Sequence, residues 1–136
     1  MEEGGLISTR MREEHGKMIV LLNNFMKGDP DSLEPLKDAQ GRHVFAEEKA
    51  IMVFYKNKKD FKLLSTILEQ HKELRGYLDK IELDKKAAAK FEKLMKQHIG
   101  LEDSKFYPML DKELNSKEQE EMFKEFMVLF NQKIDF

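Results

Sequence analysis

Across most of this chain, apolar residues recur at alternating steps of three and four, and that spacing is the strongest constraint on its fold. Ile7, Met11, Met18, Leu22 and Phe25 follow it in the first stretch, with His15 filling the step between Met11 and Met18. A second stretch carries Leu36, Ala39, Ala50 and Phe54, with His43 and Glu47 on the same seam. The third has Phe61, Leu64, Leu68, His71, Leu74, Leu78 and Ile81, and the fourth Phe91, Leu94, His98, Glu102, Phe106 and Met109. Residues three and four apart share one face of a helix, so each stretch is an amphipathic helix with an inward seam. Nothing alternates with the two-residue period of a half-buried strand.

Punctuation between the seams sets the boundaries. Ser8 or Thr9 can cap the first helix, and Lys27-Gly28-Asp29-Pro30 ends it. Asp31 or Ser32 opens the second, with Pro35 in its first turn, where a missing N–H costs little, and the helix runs to about Lys56. The turn Lys56-Asn57-Lys58-Lys59 reads as a solvated loop. Asp84 caps the fourth helix, and Pro108 bends or ends it. A fifth helix starts at Ser116 with Gln119 three residues on, a capping-box pattern, and Met122, Phe123, Phe126, Phe130 and Ile134 make one side of it apolar. Short loops favour antiparallel neighbours. The expected architecture is therefore all-α: one domain over residues 1–136, with an up-down-up-down antiparallel four-helix bundle over about 6–114 and a C-terminal helix over about 117–134. That last helix is expected to be a lid on the bundle rather than a dimer interface, so the chain reads as a monomer or a weak homodimer.

Composition removes several functions. The charged fraction is 37% with the signs interspersed and a net charge of -2, which leaves no basic footprint for nucleic acid. No apolar run approaches the ~20 residues that span a bilayer, and the first residues are acidic, so no membrane partner is expected and the location is expected to be cytoplasmic. There is no cysteine, so any metal must be held by nitrogen and oxygen.

The histidines stand at 15, 43, 71 and 98, one in each long helix, at intervals of 28, 28 and 27 residues. In an antiparallel bundle such intervals bring successive histidines to matching heights. His15 and His43, for example, each lie ~17 Å along the axis from the loop between them. All four rings then share one layer. Glu47 and Glu102 follow His43 and His98 by four residues, so each points the same way as its histidine. One histidine on an apolar seam is ordinarily a hydrogen-bonded core residue. Four imidazoles and two carboxylates converging in one apolar layer are different, because each buried carboxylate needs a compensating charge. Six candidate ligands are too many for a tetrahedral zinc ion and suit two octahedral ions bridged by carboxylates and a solvent-derived oxygen, with iron the favoured metal. The residues three before the histidines are Arg12, Gln40, Leu68 and Met95, so the Glu-x-x-His pairs of ferritin-like di-iron bundles are missing.

These residues resemble the hemerythrin-like, HHE cation-binding family. The resemblance rests on Arg12-Glu13-Glu14-His15, His43-Val44-Phe45-Ala46-Glu47-Glu48, Glu69-Gln70-His71-Lys72-Glu73-Leu74-Arg75, and His98-Ile99-Gly100-Leu101-Glu102-Asp103 followed by Phe106-Tyr107-Pro108. It implies a four-helix bundle around two iron ions with an oxo or hydroxo bridge. His15, His43, His71 and His98 would be terminal ligands and Glu47 and Glu102 bridges, reacting with O2, peroxide or nitric oxide; the alternative is an iron- or oxygen-responsive sensor without turnover. Whether the chain is an enzyme, with catalase- or peroxidase-like activity, stays open. Respiratory hemerythrins have a further histidine four after the third-helix histidine, where this chain has Arg75; that position is expected to leave room for water, a carboxylate or an exogenous ligand. They also use an aspartate five after the last histidine, so Asp103 competes with Glu102 for the bridge, and Glu102 is favoured because it repeats Glu47. Tyr55, Tyr77 and Tyr107 are packing residues or, alternatively, iron ligands or hydrogen-bond donors. Gly16, Gly41, Gly76 and Gly100, each within five residues of a histidine, either permit close helix approach or an access channel, or have no role.

Overall fold

A computed structural model describes residues 5–52 and 61–132 and, among them, only helices and short connections. Helix α1 spans Leu6–Met26, α2 Leu33–Ala46, α3 Phe61–Lys80, α4 Lys85–Leu101, α5 Tyr107–Glu113 and α6 Ser116–Phe130. The expected seam residue Phe54, the turn at Lys56–Lys59, Tyr55 and Ile134 lie outside the described residues, as does the side chain of Phe61.

The caps follow local chemistry, in places one residue away from expectation. Gly28 adopts φ 110° just after α1, the left-handed conformation that glycine reaches without strain, and closes that helix. A short 3-10 turn at Pro30–Ser32 leads into α2, with the Asp29 carboxylate accepting from the Asp31 N–H. Asp84 caps α4 by accepting from the Lys86 N–H at 2.9 Å. The fifth expected helix is capped by Asn115 with Glu118, rather than Ser116 with Gln119: the Asn115 side chain accepts from the Glu118 N–H, and the Glu118 carboxylate accepts from the Asn115 N–H. Gln119 is buried instead. Neither Ser8 nor Thr9 caps α1, which starts at Leu6. Its first turn is held from α5, where the Asp111 carboxylate accepts from the Gly5 N–H at 3.0 Å and from the Ser8 hydroxyl at 2.9 Å.

Two interruptions of the α-helical ladder were not expected. Residues Glu47–Met52 continue α2 as a π-helix, and Glu102–Phe106 continue α4 in the same way. Each begins on the glutamate of a His-x-x-x-Glu sequence. The second is closed by the Tyr107 N–H donating to the Glu102 carbonyl, one residue further back than an α-helix would reach. Pro108 sits in the first turn of the helix that follows, so the wide turn accommodates a residue that would break a continuous α-helix. The extra residue also rotates the seam: from Glu102 to Leu114 the next buried positions are Phe106, Tyr107, Leu110 and Leu114, and Met109 is only partly buried.

Two apolar clusters fill the interior. One joins Ile7, Met11, Ile51, Ile67, Phe106, Leu110 and Phe126. The other joins Met18, Leu22, Leu36, Leu74, Phe91 and Met95. Each histidine falls in sequence between members of the two, so a polar layer lies between two apolar ones. A side chain the size of Phe91, wholly buried, contributes on the order of 2 kcal/mol by leaving water, and these contacts hold the polar layer in place. On α3 the seam passes through Ile67, and Leu68, expected inside, is 43% exposed. Helix α6 packs on α2 and on the π segment that follows it, and Arg42 of α2 ties its end by donating to the Phe130 and Gln132 carbonyls at 2.8 and 2.9 Å.

Candidate metal centre

All four histidines and both glutamates are at most 3% exposed, and they meet in the layer between the two apolar clusters. His15 comes from α1, His43 from the last turn of α2, His71 from the middle of α3 and His98 from the last turn of α4. Glu47 and Glu102 are the first residues of the two π segments. The ring centroids of His15 and His43 are 5.0 Å apart and those of His71 and His98 4.8 Å apart.

Glu102 is central. Its Oε1 lies 3.0 Å from His15 Nε2 and 3.1 Å from His98 Nε2, and its Oε2 lies 3.8 Å from His71 Nε2. Glu47 Oε1 lies 3.0 Å from His71 Nε2 and 4.0 Å from His43 Nε2. The candidate donor atoms fall into two groups, each within 4.8 Å: Glu47, His71, His98 and Glu102 in one, His15, His43 and Glu102 in the other. Glu102 belongs to both.

The outer ring nitrogens are held separately. His15 Nδ1 is 3.1 Å from the Asp103 carboxylate, His71 Nδ1 is 2.8 Å from Glu48, and His98 Nδ1 is 2.8 Å from the Gln70 side-chain oxygen. An oxygen at Nδ1 selects the tautomer whose Nε2 lone pair faces inward, the arrangement that metal-binding histidines use. Among the described residues, His43 has no such partner on Nδ1. Asp103, the expected competitor of Glu102, lies on the outer side of His15 with its side chain 32% exposed. Sequence reasoning did not single out Glu48 or Gln70 for these roles. Their positions, one residue after Glu47 and one before His71, were the available signal.

Tyr107 enters the cluster, wholly buried, and its hydroxyl lies 2.7 Å from Glu47 Oε2 and 2.9 Å from Glu102 Oε1, so its one proton is shared between the two carboxylates. Tyr77 instead packs in the second apolar cluster. Arg75 stays out of the cluster, exposed on α3. A Cβ added at Gly16, Gly76 or Gly100 would meet nothing within 4 Å, so close helix approach does not explain those glycines.

The charge balance is set by burial and neighbours. Burial pulls the His15 imidazole down, but its bonds to Asp103 and Glu102 outweigh this and push its pKa up to about 9. His71 is likewise buried and is raised by its contacts with Glu102, Glu47 and Glu48. Burial, with Glu102 close by, pushes Glu47 up to about 8. Burial also tends to raise Glu102, but the surrounding imidazoles hold it well below the usual carboxylate range. His43 and His98 are lowered, chiefly by burial, and are neutral at pH 7. Tyr107 is raised, first by burial and then by the two carboxylates, and keeps its proton.

These shifts predict a pH dependence for the metal-free chain. His15, His71 and Glu47 bind a proton more tightly folded than unfolded, so their contribution is complete below their unfolded values and is lost as pH rises through the folded ones. Above pH 6.5 the unfolded histidines are neutral, and His43, His98 and Glu102 no longer change stability. Between pH 7 and 9 the metal-free fold should therefore weaken by on the order of 1 kcal/mol per pH unit for each group still titrating. Urea unfolding of the chelator-treated chain at pH 7, 8 and 9 measures this; a midpoint that is flat or rises would contradict the assignment.

Among the described residues, four cluster-facing atoms, His43 Nε2, Glu47 Oε1, His71 Nε2 and Glu102 Oε2, and the outer His43 Nδ1 are buried without a well-formed hydrogen bond, His71 Nε2 and Glu47 Oε1 standing 3.0 Å apart as an ion pair. Donor atoms at ~2.1 Å from one ion, on perpendicular bonds, are ~3.0 Å apart. The closest donor pairs here have that separation, at 3.0 and 3.1 Å. The donor set therefore fits a metal.

The model of the hemerythrin HHE cation binding domain matches residues 6–110. No curated protein and no solved structure matches the chain.

Proposed function

Given that the chain belongs to the hemerythrin HHE cation-binding family, we propose that it is a di-iron protein whose centre binds O2 or reacts with peroxide or nitric oxide. The observation that carries this reading is the set of inward nitrogen and oxygen atoms left without hydrogen bonds in a layer sealed on both sides by apolar side chains. Unpaired buried polar atoms each cost on the order of 1–3 kcal/mol, and ion ligation removes that cost. His71, His98 and Glu47 would hold one ion and His15 and His43 the other, with Glu102 and Glu47 as the carboxylates shared between them. Imidazole with carboxylate and no thiolate favours iron. The proposed fold is a single domain with up-down-up-down order, supported for its second and third helices by the contacts of Glu48 with His71 and of Lys37 with Glu82.

Bound iron supplies the redox chemistry, exchanging electrons with O2, peroxide or nitric oxide. The protein supplies position and protons. Asp103, Glu48 and Gln70 fix three imidazole rings so that Nε2 stays on the cluster. Tyr107 holds a proton between Glu47 and Glu102, against the side of the cluster where His15 also lies, its hydroxyl 3.5 Å from His15 Nε2. Tyr107→Phe is expected to keep the iron stoichiometry of the parent chain and to slow peroxide consumption by at least about tenfold, because a preorganised donor is lost without loss of a ligand. Stopped-flow absorption of the reduced, iron-loaded variant checks this; an unchanged rate would remove Tyr107 from the reaction.

A second reading, iron sensing without turnover, is favoured by the near-complete burial of every candidate ligand. Exposing the reduced iron-loaded chain to O2, peroxide and nitric oxide in turn separates the two. Spectral change with multiple turnovers supports an enzyme, and a single stoichiometric change supports a carrier or sensor.

A further inference from the structure

A cavity of about 480 Å³ opens between α2 and α3, outside the metal cluster but touching it through His71 and Glu48. Its volume is that of a small-molecule site. Val44, Phe45 and Leu68 line it with apolar surface, and Leu68, displaced from the core seam, is 43% exposed there. Three cations, Lys37, Lys72 and Arg75, also line it. Lys37 pairs with Glu82 at 3.6 Å, but Lys72 and Arg75 have no ion-pair partner among the described residues. Of the two acids present, Glu48 is held by His71 at 2.8 Å, which leaves Asp79 as the free one.

The wall also contains Gln40. This side chain is 5% exposed, and its amide oxygen is buried without a hydrogen-bond partner. An amide oxygen in that position lacks a donor that neither the apolar wall nor the helix supplies. An exposed lysine pair alone would be a solvated face. Two unpaired cations, an apolar wall and a buried acceptor in one cavity together describe a ligand with three matching parts.

We propose that this cavity binds a small organic acid with an apolar body and a hydroxyl group, such as a hydroxyaryl carboxylate. The carboxylate pairs with Lys72 and Arg75, the body lies along Val44, Phe45 and Leu68, and the hydroxyl donates to the Gln40 amide oxygen, which is covered by its neighbours and turns toward the ligand on binding. Such a ligand would sit against the His71–Glu48 pair and so contact the support of one candidate iron ligand. Binding itself does not depend on the metal reading, because none of the groups named for the ligand is a candidate iron ligand.

Calorimetric titration of the full chain with 4-hydroxyphenylacetate tests the proposal. Saturable binding is expected, with phenylacetate, which lacks the hydroxyl, and tyrosol, which lacks the carboxylate, each weaker by about tenfold or more. The exposed pair Lys72→Gln/Arg75→Gln should weaken 4-hydroxyphenylacetate by at least about tenfold and leave tyrosol unchanged. Gln40→Leu should bring 4-hydroxyphenylacetate down to the affinity of phenylacetate. Lys96→Gln, on another helix, should change nothing. No saturation at millimolar concentration, or binding indifferent to the Lys72/Arg75 pair, would overturn the proposal. Either result leaves iron loading untouched, so failure here is distinct from failure of the metal reading.

Discussion

Glu102→Ala is expected to abolish iron loading altogether rather than halve it. Both groups of candidate donor atoms include this one side chain. Its Oε1 is within 3.1 Å of two imidazole nitrogens contributed by α1 and α4, and its Oε2 faces a third on α3. Its replacement removes the carboxylate grouped with His15 and His43, leaving them only Glu47, 4.0 Å from His43, and it withdraws the negative charge that offsets the buried cations. The comparison with neighbouring positions is the discriminating part. His43 belongs only to the group of His15 and Glu102, so His43→Ala should lose one ion and retain the other. Asp103→Ala should keep both, with affinity weakened by about 10–100-fold, because it removes an outer partner of His15 and no inward donor. Metal analysis of the three purified variants after identical iron loading reads all of this. A chain that keeps its iron without Glu102 but loses it without Asp103 would reverse the roles assigned to the two acids.

Removal of the metal is expected to have the second large effect, on stability. A ligand that binds only the folded chain, present at about a thousand times its dissociation constant, adds about 4 kcal/mol. For a domain of this size that corresponds to a melting temperature lower by roughly 15 °C when the iron is stripped. The structure indicates where the loss arises. Without an ion, the four cluster-facing atoms on His43, Glu47, His71 and Glu102 stay desolvated, with the 3.0 Å contact between His71 Nε2 and Glu47 Oε1 as the closest approach among them. Helix α6 should respond with the rest, since the Phe126 ring packs edge-on against His43 at 6.4 Å between centroids. Thermal unfolding followed by circular dichroism, with and without a chelator, measures the difference. Equal melting temperatures for chains shown to differ in iron content would separate the metal from the fold.

Much of this site is legible in the amino-acid sequence alone. His15, His43, His71 and His98 occupy seam positions in four helical patterns, and their even spacing placed them at one height; all four are buried in one layer. Helix-face geometry likewise brought Glu47 and Glu102 to their histidines. The π segments were not legible, because a single extra residue leaves an apolar pattern that still satisfies three-and-four spacing over a short stretch. That hidden step accounts for Leu110 taking the interior position expected for Met109. It also accompanies the entry of Tyr107, adjacent to the last residue of the second π segment, into the cluster. On α3, Ile67 and Leu68 are equally apolar, and only packing against the neighbouring helices decides which one faces in. The outer partners Glu48 and Gln70 belong to a different helix from the histidine each one holds, a relation that single-helix periodicity does not contain.

In the proposed function, one polar layer holds two ions that share Glu102. Anaerobic titration of the metal-free chain with ferrous iron, followed by equilibrium dialysis and metal analysis, tests it most directly. The parent chain is expected to retain two irons and Glu102→Ala none. Retention of one iron or none by the parent chain, or equal retention by the two proteins, would contradict it.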